Sequence, residues 1–412
     1  MERTKREGIH YCWVIAFCCT LMICATSLVS SGMSTNLNAM REFYGLTNTQ
    51  TATVQTVKSA AGLAAALISA RVFGFLGIKK TMLLSMLCGA ATFALFALSR
   101  GRMAVLIAGG AFGGICYSYG LMLPASMIIR RWFNKSRGTA LGIASCGTGL
   151  VSIIFAPAVQ KIIDTFGITA AFVFQGGFLL LTAAVLLLLI IETPEKKGLE
   201  PLGGFCPDNP ARKITGSSEL GRGGVAALVT ATALIGACAG SAVTFFTSHF
   251  VIAGLDKMKV AYALSVYGVV LVSFKFIHGI CTDRLGVFRT SMLYGIVCML
   301  GIFAIGSAVF IPTNAFMIFS LSLFASGAAI QTLGYPSWAL ELDGKKYEKT
   351  LSRCQTGYQL GALVGSFIPG YLADRFGSYM PAYYLNTAFT AAAIATVAIL
   401  YAKKRRKEKA AS

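Results

Sequence analysis

The sequence predicts an all-α, polytopic membrane protein with twelve transmembrane helices in two six-helix bundles and both termini in the cytoplasm. Three observations predict it. The 412 residues are 56% hydrophobic and only 13% charged, with a mean hydropathy of +0.69, whereas a soluble domain must cover its surface with polar groups. Apolar stretches recur along the whole chain, each about 20 residues or more and so long enough to cross a hydrocarbon core of about 30 Å as a helix. The same short motifs also recur in both halves of the chain. Lipid offers no partners for backbone N–H and C=O groups, and runs of this length without period-2 alternation are helices.

Apolar runs between polar breaks place spans at 11–37, 50–71, 81–99, 103–128, 138–160 and 168–191, then at 223–252, 259–281, 290–311, 314–340, 353–373 and 380–402. The first follows a basic stretch, as a signal peptide would, but it exceeds the roughly 7–15 residues of a signal h-region and is expected to be an uncleaved span. Residues 192–222 are polar, irregular and rich in Pro and Gly. They form the one long linker, so the expected organisation is a bundle over 1–191, a cytoplasmic linker over 192–222, a second bundle over 223–402 and a basic cytoplasmic tail over 403–412.

The net charge of +20 could suggest nucleic acid, but its distribution excludes that class. Most of the 36 Lys and Arg residues lie in the N-terminus, the C-terminus and alternate loops; the intervening loops carry few, and only Lys58 and Lys275 lie inside spans. That alternation is the positive-inside bias, and it is what puts both termini in the cytoplasm. The tail Lys403 to Lys409 reads as a cytoplasmic stop that touches anionic lipid. Twelve cysteines are scattered, mostly within spans, with no metal-ligand spacing; as small apolar fillers they imply neither metal nor cofactor. There is no G-x-x-x-x-G-K-[ST], H-E-x-x-H or G-x-S-x-G sequence, so nucleotide-driven pumping and membrane enzymes find no support. Energy must come from gradients, by exchange or by symport with a proton.

The halves echo each other. Leu76-Gly77-x-x-Lys80-Thr81 follows span two, and Leu285-Gly286-x-x-Arg289-Thr290 follows span eight. Pro157 with Asp164-x-x-Gly167 ends span five, as Pro369 with Asp374-x-x-Gly377 ends span eleven. Duplicated halves are how many secondary transporters build alternating access around a central site.

Gly279-x-x-x-Asp283-Arg284-x-Gly286-x-x-Arg289 resembles the cytoplasmic signature of the major facilitator superfamily. That likeness implies a conformational latch at Asp283, Arg284, Gly286 and Arg289, in which the Asp receives backbone N–H groups and Arg at the ends of neighbouring helices. The first half departs from it, with Gly74 where the Asp should be. Arg131-Trp132-Phe133-x-Lys135-x-Arg137-Gly138-x-Ala140-Leu141-Gly142-Ile143, then Gly147 and Gly149, is similar to the loop and fifth span of the oxalate/formate antiporters and the related monocarboxylate transporters. The glycines allow helix backbones to approach, and Trp132 is expected to anchor at the headgroup level.

Ionisable groups inside spans are costly, at about 2.5 kcal/mol or more each unless compensated, and so point to function. None of the 16 acidic residues lies in a span interior; both interior charges are lysines. A substrate carboxylate would compensate such a cation. Lys275 lies eight residues before Asp283, about 12 Å deeper along span eight, where the family likeness implies an anion-binding Arg. Lys exchanges bidentate recognition for a point charge. An Asp common four residues earlier in animal monocarboxylate transporters is Leu271 here. Either Lys275 binds substrate or it snorkels to the interface, and the same alternatives hold for Lys58 in span two. The likeness implies a second cation in span eleven, but Tyr358 stands near that position here, which disfavours a dianion. His278, three residues after Lys275 and so expected on the same face, either exchanges protons or is structural. Tyr117, Tyr119, Gln331 and Tyr335 are polar groups in apolar spans that either orient a ligand or bond between helices.

The expected function is secondary transport of small organic anions, monocarboxylates foremost, by a monomer in the cell membrane, a bacterial inner membrane. Its partners are the anionic substrate, the bilayer and a co-transported proton, with no nucleic acid. The alternatives are a dicarboxylate/monocarboxylate antiporter of oxalate/formate type, an exporter of other small molecules, and a non-transporting receptor or scaffold. Drug exporters usually use intramembrane acids, absent here, and a scaffold needs neither a latch nor cavity lysines.

Overall fold

A computed structural model describes residues 11–30, 32–203, 219–242 and 245–411. The first half comprises α1 (Tyr11–Ser30), α2 (Met33–Tyr44), α3 (Asn48–Ser99), α4 (Met103–Gly120), α5 (Met122–Trp132), α6 (Arg137–Leu150), α7 (Ala156–Phe166) and α8 (Ile168–Leu189). The second comprises α9 (Arg222–Ala242), α10 (Phe246–Ile252), α11 (Lys257–Leu285), α12 (Val287–Gly306), α13 (Asn314–Gly327), α14 (Ile330–Leu342), α15 (Tyr347–Phe376) and α16 (Met380–Ala411). The fold is all-α, as predicted: among the described residues the only β-type pairing is an isolated bridge between Phe133 and Leu202.

Among the described residues, ten segments are long and apolar enough to cross a membrane. One of them, α3, breaks at Gly77 into two legs, and α15, more polar than the ten, is 30 residues long. With these the crossings reach twelve. Large apolar side chains face outward, such as Phe75 at 89% exposure and Leu188 at 77%, which suits lipid tails and not water.

The ends of these helices follow from local chemistry. Thr47 and Gln50 form a capping box at the start of α3, and the Asp256 carboxylate accepts from the Met258 and Lys259 N–H groups to start α11. The first internal echo is repeated in backbone geometry. Gly77 (φ 78, ψ 171) and Gly286 (φ 85, ψ 159) turn the chain identically after spans two and eight, in a region only glycine occupies without strain. The second echo is looser, since Gly167 has ψ 169 and Gly377 has ψ 10.

Several expectations are corrected. The loop expected between spans two and three is only the turn at Gly77, because the Glu192 carboxylate accepts from the Lys79 N–H (2.9 Å) and starts the second leg of α3. Spans five and ten stand as expected, as single crossings over Arg137–Phe166 and Asn314–Leu342, the first with a π-helical turn over Val151–Phe155 and the second with a turn between α13 and α14. The basic tail continues α16 as helix to Ala411. Trp132 is not a headgroup anchor. It is fully buried, donates from Nε1 to the Ile191 carbonyl (2.8 Å) and packs on Tyr11. Its loop instead clamps the linker: Leu202 N–H donates to the Trp132 carbonyl (2.9 Å), and the Asn134 and Lys135 N–H groups donate to the Leu202 carbonyl. Much of the linker, 204–218, lies outside the described residues. Its far end is held by Asp343, which accepts from Leu220 N–H, and by an exposed Glu219–Lys346 pair that lowers the Glu219 carboxyl below its ordinary range.

Candidate functional site

The two halves meet along two seams. On one, α6 crosses α11 at backbone contact. A Cβ on Gly138 would stand 2.6 Å from the Gly279 carbonyl oxygen, and one on Gly142 would stand 2.9 Å from that of Lys275. Only glycines permit this approach. Lys275 is 3% exposed, and its Nζ donates to Thr148 Oγ1 of the opposite half at 2.5 Å. It therefore does not snorkel. The ammonium lies at the seam with a neutral hydroxyl as its partner, and no described carboxylate is ion-paired with it.

At one end of this seam sits Asp283. Its Oδ1 accepts from Gly138 N–H, and its Oδ2 accepts from both the N–H and the hydroxyl of Thr139, all at 2.7 Å. A carboxylate at the N-terminus of α6 satisfies donors that the helix cannot satisfy itself and faces the positive end of its dipole. The two halves are thereby tied together at this end. Arg284 and Arg289 are exposed and make no ion pair among the described residues; Gly286 supplies the turn. The same end carries Arg131–Glu348 (3.3 Å) and Arg130 donating to the Gly344 carbonyl (3.1 Å), again between halves.

The second seam joins the first leg of α3 to α15. Here Gly74 is exposed, with nothing within 4 Å of an added Cβ. A hydroxyl pair, Ser69 Oγ with Ser352 Oγ at 2.5 Å, makes the cross-seam contact instead. Gln359 reaches across as well, with Oε1 3.3 Å from where a Gly62 Cβ would stand. Tyr335 donates to Gln355 Oε1 at 2.6 Å, and its ring lies 5.7 Å from that of Tyr358. Tyr117 lies on α4 in the first half and is half-buried. Two tyrosines thus gather with the glutamines of α15, from α14 and α15.

The other expected site residues lie elsewhere. Lys58 is 6% exposed and its Nζ donates to the Val29 carbonyl (3.2 Å) in the last turn of α1, where helix carbonyls attract a cation. Tyr119 donates to the Ala65 carbonyl (3.0 Å) and packs on Phe73 within the first half. Gln331 meets Cys238 and Cys298 Sγ within the second. His278 does not share the environment of Lys275: its ring stands edge-on to Tyr294 of α12, 4.5 Å between centroids. An offset of three residues rotates a side chain by roughly 60°, enough to enter a different gap on a helix packed between α6 and α12. Thr148, Gln355 and Gln359 were not apparent as site residues. The i, i+4 spacing of the two glutamines on an otherwise apolar span is the signal that could have found them.

Two helical halves tied at one end, with buried polar and charged groups along the seams, define a membrane carrier and not an enzyme. The model of the Major Facilitator Superfamily matches residues 16–343 and 295–412, and the chain belongs to that family. Among curated relatives it is 25% identical over 172 residues to mouse monocarboxylate transporter 12, covering 41% of this chain and 34% of that protein. It is 26% identical over 273 residues to bovine monocarboxylate transporter 13, covering 65% and 60%. It is also 25% identical over 263 residues to the agnestins efflux protein AgnL12 of Paecilomyces divaricatus, covering 62% and 56%. The chain thus spans between about a third and three-fifths of the length of these relatives. The solved proton:xylose symporter XylE superposes with a TM-score of 0.72 at 13% identity, covering 93% of this chain and 94% of that one. FucP in its outward conformation superposes at 0.68 and 16% identity, covering 95% and 99%. These two share the fold.

Proposed function

We propose that the protein carries small monocarboxylates by alternating access, with Lys275 as the anion-binding cation. The observation that carries this reading is a buried ammonium at the seam between the halves, bonded to a hydroxyl and without a carboxylate. A charge so placed needs a compensating anion for part of the transport cycle. Monocarboxylate transporters among the relatives support the substrate class. The linker and the latch lie at the cytoplasmic face, both termini are cytoplasmic, and the protein works as a monomer in the cell membrane. Gradients drive it, by exchange or with a proton as co-substrate.

The number of charges on the substrate follows from Lys58. A dianion needs two cations in the cavity; Lys58 instead serves the carbonyl end of α1, and the span-eleven position holds Tyr358. Formate, acetate or lactate should therefore compete for uptake better than oxalate or succinate, in proteoliposomes at fixed pH. Lys58→Ala should leave that ranking unchanged and lower thermal stability, because the Val29 carbonyl loses its partner at about 1–3 kcal/mol. Oxalate outcompeting every monoanion, with its advantage lost in Lys58→Ala, would make Lys58 a substrate cation and the substrate a dianion.

A further inference from the structure

We infer that Leu202 of the linker is a positioning residue for the tie between the halves. Its backbone bonds hold Ser136 in a conformation that stops α6 from capping its own N-terminus, which leaves the Gly138 and Thr139 N–H groups to Asp283. This rests on alternating access at the Asp283 contacts, and not on which substrate is carried. The loop between α5 and α6 consists of Phe133, Asn134, Lys135 and Ser136, and its backbone is fastened to one linker residue. Leu202 N–H donates to the Trp132 carbonyl at 2.9 Å, and the Leu202 carbonyl accepts from Asn134 N–H at 3.0 Å and from Lys135 N–H at 2.9 Å. Gly203 lies so close to the loop that an added Cβ would stand 2.9 Å from Lys135 Cβ. Directly after these anchored residues, Ser136 takes φ 58, ψ 30. A residue with a Cβ adopts this left-handed conformation at a cost, and keeps it only where its surroundings impose it.

Ser136 is the N-cap residue of α6. In the extended conformation usual for that position, its hydroxyl would accept from the N–H of the second or third helical residue. Those residues are Gly138 and Thr139. Turned left-handed, Ser136 makes no such bond, and both N–H groups go to the Asp283 carboxylate of the other half, at 2.7 Å each. Two acceptors therefore compete for donors that the helix cannot satisfy itself, one local and one across the seam. While Leu202 grips the loop, the local acceptor is withheld and the tied state is favoured. Released from Leu202, Ser136 can turn to the extended conformation and cap α6 alone, which satisfies a donor with the halves apart.

Distance probes at the exposed positions Lys80 of α3 and Lys349 of α15, one on each half, report the ratio of open to tied carriers in the purified, substrate-free chain. Leu202→Pro removes the N–H donated to Trp132 and should raise that ratio roughly tenfold. Ser136→Ala alone should leave it within about twofold of the wild type, because the hydroxyl is not capping. Placed in the Leu202→Pro background, Ser136→Ala should bring the ratio back to within about threefold of the wild type, because the competing cap is gone. A linker contact that merely stiffened the fold would give no such rescue. An unchanged ratio in Leu202→Pro, or an equal rise with and without Ser136→Ala, overturns the assignment. Should Leu202→Pro fail to fold, Gly203→Val decides in the same way, since φ 102 and the Lys135 contact oblige a side chain there to lift the linker off the loop. Asp283→Asn is the reference and should raise the ratio with the linker intact. If it does not, the tie itself falls and the role of Leu202 falls with it; if it does and Leu202→Pro does not, only the role of Leu202 falls.

Discussion

Lys275→Gln should abolish uptake of a labelled monocarboxylate by proteoliposomes, to less than about a hundredth of the wild-type rate at limiting substrate. A hydrogen bond to a charged group contributes about 1.5–3 kcal/mol, and desolvation at a buried seam strengthens the attraction further; about 3 kcal/mol is already more than a hundredfold. The variant should still reach the membrane and fold. Gln is one bond shorter than Lys and gives up the bond to Thr148 Oγ1, but removing a buried charge relieves a desolvation cost, so its thermal stability should equal or exceed that of the wild type. That combination distinguishes a binding role from a structural one, which would lower stability and uptake together. Lys275→Arg should retain partial uptake, because the charge survives while its shape and hydration change. Near-normal uptake by a well-folded Lys275→Gln would remove Lys275 from the substrate path.

How far the sequence discloses this arrangement depends on the range of the interaction. Spans are legible because each is a local hydrophobic run, and the turns at Gly77 and Gly286 are legible because Leu-Gly-x-x-basic-Thr is written twice. Span eleven could be placed although it is more polar than its neighbours. Gly357, Gly361 and Gly365 lie one turn apart, and each would set a Cβ within 3 Å of an α9 carbonyl oxygen; that packing compensates its polar face. The interruption between α13 and α14 was hidden, since Ala328 and Ala329 are good helix formers. Partners across a seam were hidden as well. Lys275 stands out as a charge in an apolar run, but its partner Thr148 lies 127 residues away. No local rule singles out that hydroxyl among the many Ser and Thr of the spans. Lys58 shows the converse: its partner is a backbone carbonyl, which has no sequence signature at all.

Asp283→Asn should slow transport at least tenfold while changing the intrinsic affinity for substrate little. The Asp283 carboxylate uses both oxygens, one for Gly138 N–H and one for the N–H and hydroxyl of Thr139. Asn keeps a single acceptor oxygen, loses the charge that faces the α6 dipole, and turns an NH₂ group toward N–H donors. Hydrogen bonds to a charged group at about 1.5–3 kcal/mol each, discounted because the latch is largely exposed to solvent, leave roughly 1.5–2 kcal/mol against the tied state. A ligand-free equilibrium between the tied state and the state open at this end would then shift about tenfold or more toward the open one. The Asp283 side chain is spent on α6, so the loss should fall on how often the carrier completes its cycle. Equilibrium binding to purified protein and exchange rates in proteoliposomes separate the two quantities. Thr139→Val supplies an independent check: it removes only the hydroxyl donor, keeps both N–H groups, and should slow exchange in the same direction by a smaller factor. A large fall in affinity with an unchanged exchange rate in Asp283→Asn would contradict the latch.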